Sequence, residues 1–209
     1  MKAHTRETQA TMTPQKALQY LKEGNTRFLG NLKANRNLLE QVNDTSEGQF
    51  PFATILSCID SRVSAELVFD QGLGDIFSVR IAGNFVNEDI LGSMEFACKL
   101  AGTKIIVVLG HTSCGAIKGA CDNAKMGNLT KLIEKITPAV NAVSEPTDDS
   151  LRNSRNLEFV DNVSKKNVEL TIERIMKESD ILADMKNSSE IMIVGAMYDI
   201  HSGAVTFYE

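Results

Sequence analysis

The segment FATILSCIDSR (residues 52–62) joins a short apolar run to a group of reactive side chains. Its first half is apolar or β-branched, which predicts a strand that is buried on both faces of a sheet. Cys58, Asp60 and Arg62 follow directly after that run. Because binding sites in parallel sheets form at the carboxyl ends of strands, the segment predicts both a fold class and the position of its site.

Apolar runs of the same kind recur along the chain, at 76–83, 104–110 and 190–199, and residues 203–209 are expected to close it as an edge strand. Stretches with helical periodicity separate these runs, and the longest of them covers 156–186. The alternation predicts an α/β fold: a mainly parallel central sheet of four to five strands flanked by helices.

The N-terminal part of the chain is expected to form a helical arm, 1–49, on a single domain that spans 1–209. Pro14 is typical of the first position of a helix. Gly24 predicts a turn that separates a second short helix from the first. Residues 31–49 are polar and indicate an arm or loop.

Composition narrows the possible partners. The chain has 209 residues, 43% of them hydrophobic, and a net charge of −5. It lacks a block of Lys or Arg, so we expect no nucleic-acid partner. Its apolar runs are far shorter than the roughly 20 residues that span a bilayer, so we expect no membrane partner. The N-terminus shows no apolar core of a secretory signal, and the expected location is cytoplasmic.

Two strand ends carry potential metal ligands. Cys58 follows the first strand, and the segment GHTSCGA places His111 and Cys114 after the third. Two thiolates and one imidazole form a donor set that suits zinc. Three protein ligands leave one tetrahedral position open, as in a catalytic zinc site. Cys98 and Cys121 lie in helical patterns and are expected to be core or helix-face thiols.

Asp60 and Arg62 stand close to this donor set in sequence. Asp60 could bind the metal itself, or it could accept a hydrogen bond from water at the open position. Arg62 could pair with Asp60, keep it ionised and hold it away from the metal. Each signal is weak alone: a single Cys is commonly an inert buried thiol, and Asp-Ser-Arg is commonly a turn. His4 is expected to be exposed to solvent. His201 is expected to have only a structural role in a turn.

The chain resembles the β-class carbonic anhydrases. The strongest similarity lies in the two segments CIDSR and GHTSCGA, and it continues through ALQYLKEGNTRF, FSVRIAGN, GSMEFACKLAG and VGAMYDIHSG. The resemblance implies one zinc ion per subunit, with Cys58, His111 and Cys114 as ligands. It also implies an Asp60–Arg62 dyad beside the open metal position.

The same resemblance implies a substrate pocket. Gln49 and Phe77 match pocket positions of the plant-like subtype, and Gly115 would offer a backbone N–H near the substrate. Phe96 stands where many members of the family have tyrosine, so a phenolic hydroxyl is replaced here. The allosteric subtype typically has tryptophan at the position of Ile55, and this chain has no Trp. We therefore expect the non-allosteric subtype.

The implied reaction is the reversible hydration of carbon dioxide to bicarbonate and a proton by a zinc-bound hydroxide. The implied assembly is a homodimer or a higher homo-oligomer such as a tetramer, with the arm packed on a partner subunit. Three alternatives remain open at this point. They are a hydrolase of carbon disulfide or carbonyl sulfide on the same fold, a non-catalytic zinc module, and a redox protein that uses Cys58 and Cys114.

Overall fold

A five-stranded sheet forms the centre of the fold. The computed structural model describes residues 2–208. Met1, the first residue of the predicted domain, and Glu209, the last residue of the domain and of the predicted edge strand, lie outside the described residues. The strands are β1 (Ala53–Ser57), β2 (Ile76–Arg80), β3 (Ile105–His111), β4 (Met192–Tyr198) and β5 (Val205–Tyr208). Their order is β2-β1-β3-β4-β5, and only the β4–β5 pair is antiparallel. The predicted α/β fold with a mainly parallel sheet is confirmed.

Helices cover both faces of this sheet. They are α1 (Arg6–Ala10), α2 (Pro14–Leu29), α3 (Leu38–Asp44), α4 (Ala65–Val68), α5 (Glu88–Glu95), α6 (Gly115–Cys121), α7 (Gly127–Glu134), α8 (Thr137–Ala142), α9 (Leu157–Glu178) and α10 (Asp180–Asn187). A π-helical turn, Phe96–Leu100, continues α5, and a 3₁₀ turn, Asp149–Leu151, precedes α9. None of the helices within 2–208 is long and apolar enough to cross a membrane.

Strand β3 lies in the middle of the sheet, and this position explains why its sequence is almost entirely apolar. Ile105, Val107 and Leu109 pack into one core cluster, which includes Leu21 of α2. Ile106 and its neighbour two residues on pack into the opposite cluster, which includes residues of α9 and α10. Alternate side chains of a strand point to opposite faces, so a strand covered on both sides has no polar face to show.

The predicted N-terminal helical arm is confirmed, but two details predicted for it are wrong. Gly24 does not make a turn but lies within the continuous helix α2. A Cβ at this position would stand 1.8 Å from the carbonyl oxygen of Phe69, so glycine permits a close helix contact here. The supposed loop 31–49 contains α3, whose N-cap residue Asn37 accepts a hydrogen bond from the Glu40 N–H.

The predicted helix 156–186 is divided into α9 and α10. Ser179 ends α9 and its hydroxyl caps α10 by accepting from the Leu182 N–H. His4, expected to be solvated, is half-buried instead. Its ring lies 5.2 Å from the ring centroid of Phe52 and 6.0 Å from that of Tyr20. Burial lowers the pKa of this imidazole.

A buried carboxylate fastens the arm to the domain. Asp70 accepts hydrogen bonds from Arg27 Nε at 2.5 Å, from Arg36 Nη1 at 2.6 Å and from the Ala34 N–H at 3.1 Å. Burial acts to raise the pKa of this carboxyl, but the hydrogen bonds outweigh burial and lower the pKa below its usual value. The ionised form of Asp70 is therefore the form that stabilises the fold.

We predict that Asp70→Asn lowers the free energy of unfolding by about 3 kcal/mol at pH 7, because it breaks a buried ion-pair network. The native pKa of Asp70 is depressed, so its contribution is present well above pH 4 and is lost as the pH falls through the native value. Urea unfolding at fixed protein concentration, at pH 7, 5, 4 and 3, measures the difference between wild type and variant. That difference should stay nearly constant from pH 7 to 5 and shrink below pH 4.

The matched control is Glu178→Gln, which removes an exposed ion pair with Arg174 on α9. It should cost about 0.5 kcal/mol or less. An equal cost for both variants, or a cost of Asp70→Asn that does not change with pH, would show that Asp70 is not the ionic anchor of the arm.

Candidate metal centre

Three potential ligands meet at the carboxyl edge of the sheet. The ligand atoms of Cys58, His111 and Cys114 all lie within 4.8 Å of one another, and all three residues are buried. Cys58 follows β1, His111 ends β3, and Cys114 is the N-cap of α6. Because Ser57 is paired with Leu109 in the parallel β1–β3 ladder, the two strands release their ligands at nearly the same level.

The hydrogen bonds of His111 leave one ring nitrogen available. Its Nδ1 lies 3.0 Å from the carbonyl oxygen of Thr112, which can only accept, so Nδ1 carries the proton. In the neutral imidazole Nε2 is then the acceptor, and it is buried without a hydrogen-bond partner within residues 2–208. An unpaired buried acceptor costs about 1–3 kcal/mol. A metal ion at Nε2 would remove that cost.

The two sulfur atoms are in contact, and each changes the pKa of the other. Cys58 Sγ and Cys114 Sγ are 3.8 Å apart. The hydrogen bond from Cys114 lowers the pKa of Cys58, and the same contact together with burial raises the pKa of Cys114. The contact thus favours ionisation of Cys58 over that of Cys114. A cation bound between the two sulfurs would replace the proton between them and stabilise both as thiolates.

The donor set and its spacing fit zinc. Two Zn–S bonds of about 2.3 Å at a tetrahedral angle place the sulfurs about 3.8 Å apart. Two soft sulfur ligands and one imidazole match the preference of zinc rather than that of magnesium or calcium. The other cysteines differ: burial raises the pKa of Cys98 to about 11 and that of Cys121 to about 11, as expected for core thiols.

Asp60 lies beside this cluster and faces Arg62. Arg62 Nε donates to Oδ1 at 2.9 Å and Nη2 donates to Oδ2 at 2.7 Å, a two-pronged ion pair. These hydrogen bonds hold the pKa of the Asp60 carboxyl well below its usual range. Asp60 Oδ2 stands 4.0 Å from His111 Nε2. An ionised acceptor is thus kept at the edge of the candidate site.

Arg80 is a part of the site whose role the sequence did not indicate. It ends β2, the neighbour of β1, and its side chain reaches across to the segment after β1. Arg80 Nε donates to the Cys58 carbonyl at 3.0 Å, and Nη2 donates to the Asp60 carbonyl at 2.7 Å. No signal in the sequence indicated this role, because Arg80 lies inside the predicted strand 76–83, whereas the observed strand ends at Arg80.

The loop between His111 and Cys114 has an unusual backbone. Ser113 has a φ of +54°, in the left-handed region. This conformation costs a residue with a Cβ about 1–2 kcal/mol. The Ser113 N–H donates to Asp161 Oδ1 on α9 at 2.8 Å. Sequence reasoning missed Asp161, because nothing in its local sequence links it to a loop 48 residues earlier.

The predicted pocket residues lie in several places on one chain. Phe77 and Phe96 meet edge to face, with ring centroids 6.3 Å apart, in an open cavity of about 840 Å³ between β2 and α5. Gln49 is exposed in a separate surface hollow beside Gly74. Gly115 is exposed at the start of α6, directly after Cys114.

Comparison with known proteins identifies the family. The family model described as "Carbonic anhydrase" matches residues 53–205, a range that contains the three clustered ligands and the Asp60–Arg62 pair. This chain belongs to the carbonic anhydrase family.

Individual relatives narrow this to the β class. Carbonic anhydrase 2 of Mycobacterium tuberculosis is 35% identical over 196 residues, which cover 91% of this chain and 90% of that protein. The solved structure of the beta-carbonic anhydrase CcaA superimposes with a TM-score of 0.72 at 25% identity, covering 92% and 95% of the two chains. Tetrameric beta-carbonic anhydrases from Sordaria macrospora share the fold, with a TM-score of 0.67 at 19% identity and coverage of 91% and 95%.

We predict that the purified protein contains about one zinc ion per chain and that Cys58→Ser and Cys114→Ser each lose most of it. Serine cannot supply the soft thiolate that zinc prefers. Elemental analysis after gel filtration measures the metal content. Cys121→Ser is the matched control and should keep its zinc. Full zinc in both ligand variants would refute the assignment.

Proposed function

We propose that this protein catalyses the reversible hydration of carbon dioxide to bicarbonate and a proton, with Cys58, His111 and Cys114 holding one zinc ion. The observation that carries the proposal is the buried Cys-His-Cys cluster with an ionised carboxylate at its edge. Bound zinc would act as a Lewis acid that makes water nucleophilic near neutral pH, an effect for which carbonic anhydrases are themselves the standard example.

In this proposal Asp60 orients the attacking water. An ionised carboxylate can only accept hydrogen bonds, so Asp60 would accept a hydrogen bond from the water and so turn an oxygen lone pair of the water towards carbon dioxide. Arg62 keeps the carboxylate ionised and fixes its plane by the two-pronged pair. Arg80 holds the backbone that carries Asp60, so the acceptor has little freedom to turn away.

The same contacts support the non-allosteric subtype. Both carboxylate oxygens of Asp60 are engaged by Arg62, and the Arg62 backbone N–H adds a third donor at 3.0 Å. To bind the metal directly, Asp60 would have to break this arrangement. We therefore propose that Asp60 stays off the metal at neutral pH, in agreement with Ile55 at the position where the allosteric subtype typically has tryptophan.

We predict that Asp60→Asn keeps its zinc but loses roughly 100-fold in kcat/KM, because the amide is a weaker and uncharged acceptor. Stopped-flow carbon dioxide hydration between pH 6.5 and 9, on protein of measured zinc content, tests this. Asp184→Asn, on the exposed side of α10, is the matched control and should be unaffected.

An unchanged rate in Asp60→Asn would contradict the orienting role. If zinc-loaded wild type hydrates no carbon dioxide, the same protein should be assayed with carbon disulfide and carbonyl sulfide. Turnover there would establish the hydrolase alternative. Inactivity in all three assays would favour the zinc module.

We propose further that the active form is a homodimer or a larger homo-oligomer, in which the arm and the edge of β2 lie against a partner. Large apolar side chains are exposed in both places. They are Leu29, Leu32, Leu38, Leu39, Val42 and Leu73 around the arm, and Phe96 and Leu100 beside β2. Contiguous exposed apolar surface is typical of interfaces. In such an assembly Gln49 and Phe77 would serve a neighbour's zinc site.

We predict that Leu39→Glu, at a side chain 78% exposed in the single chain, shifts the protein towards smaller species. A charge in an apolar interface is unpaired and therefore costly. Sedimentation velocity over a concentration series measures the change. Leu151→Glu, at an exposed leucine of the 3₁₀ turn, is the control and should sediment like wild type. A wild type that is monomeric throughout would refute the proposed assembly.

A further inference from the structure

The buried face of α9 carries a stripe of polar residues where an apolar face is expected. Four of them, spaced three or four residues apart, form what we call the polar stripe: Asp161, Ser164, Asn167 and Thr171. The last three are only 1%, 3% and 2% exposed. Burying polar groups is unfavourable unless they are hydrogen-bonded. The bonds that these four make are therefore informative.

The first half of the polar stripe holds the loop that carries two of the candidate ligands. Asp161 accepts from the Ser113 N–H at 2.8 Å. One turn further along α9, the Ser164 hydroxyl donates to the His111 carbonyl at 3.1 Å. The segment from His111 to Cys114 is thus fixed to α9 at its start and in its middle.

The second half of the polar stripe holds a different loop, which touches the third ligand. Asn167 Nδ2 donates to the Gly83 carbonyl at 2.8 Å, and the Thr171 hydroxyl donates to the Asn84 carbonyl at 3.4 Å. Gly83 in turn donates its N–H to Cys58 Sγ at 3.4 Å. Gly83 also has no room for a side chain, since a Cβ there would stand 2.4 Å from Ile136.

We infer that the polar stripe of α9 positions all three metal ligands and that Asp161 is its most important member. The inference rests on the proposed metal site. A hydrogen bond to the backbone beside a ligand fixes the direction in which that ligand's donor atom points. Asp161 and its neighbours are positioning residues, because they act through Ser113, His111 and Gly83 and do not touch the metal.

Asp161 matters most because the backbone that it holds is strained. Ser113 is in the left-handed region and the Asp161 carboxylate is the acceptor for its N–H. Without that acceptor, the peptide can relax towards the right-handed conformation that a residue with a Cβ prefers. Cys114 is the next residue, so relaxation would move its sulfur relative to His111.

The experiment is a Co²⁺ titration of metal-free protein, followed by visible absorption. Cobalt bands report coordination geometry and thiolate ligation, and competition with a chelator gives the affinity. Asp161→Ala should bind cobalt about 10- to 100-fold more weakly than wild type, with altered bands. The control is Asp122→Ala: Asp122 accepts from the Ser154 N–H at the same 2.8 Å, at the far end of α6 from Cys114.

A second substitution separates positioning from a general loss of structure. Glycine adopts the left-handed conformation without strain, so Ser113→Gly should restore most of the affinity and the band shape to the Asp161→Ala protein. Asp161→Asn keeps an acceptor oxygen of the same size and should stay much closer to wild type, which also provides a test if the alanine variant does not fold.

Wild-type cobalt affinity and bands in Asp161→Ala would overturn the inference, as would an equal loss in Asp122→Ala or a failure of Ser113→Gly to restore either readout. If the alanine variant does not fold, a loss in Asp161→Asn as large as that of a ligand substitution would overturn it too. A wild type that binds cobalt tightly but does not hydrate carbon dioxide would refute the proposed function alone. A wild type that binds no cobalt would refute both.

Discussion

The parallel pairing of β1 with β3 is the constraint on which the rest of the site depends. Both strands are buried on two faces, so neither can slip by one residue without displacing core side chains. The pairing of Ser57 with Leu109 therefore fixes where each strand ends. One strand ends before Cys58 and the other at His111, and the sharp turn into α6 returns Cys114 to the same place. The register of the β1–β3 pair therefore brings the three candidate metal ligands together.

Electrostatic balance sets the character of that site. A buried imidazole nitrogen lacks a partner within the described chain, and two sulfurs lie 3.8 Å apart beside it. Both features favour a cation. Asp60 has the opposite arrangement, since the charge of its carboxylate is already balanced by Arg62. The Cys-His-Cys cluster is therefore suited to binding a metal ion. Asp60 is suited to orienting a molecule that approaches that ion.

The sequence was sufficient where a feature depends on local pattern. The apolar runs predicted the strands, and the residues at their ends predicted which side chains meet. It failed where a residue's role depends on a distant contact. Gly24 suggested a turn, yet its meaning lies in the Phe69 carbonyl that packs against it. His4 looked solvated because the aromatic rings that cover it are far away in sequence. Asp161 likewise has significance only once α9 lies over the loop at Ser113.

The reach of Arg80 has a consequence for protein engineering. It stands on β2, an edge strand of the sheet, yet it holds the carbonyls of Cys58 and Asp60. Exposed strand edges and apolar side chains such as Phe96 and Leu100 are the usual targets when an oligomer is redesigned as a soluble monomer. Here that surface adjoins the strand that braces the reactive segment. A monomeric redesign of the proposed homo-oligomer would therefore have to retain Arg80 and the backbone of β2, and should change only the side chains of the flanking helix.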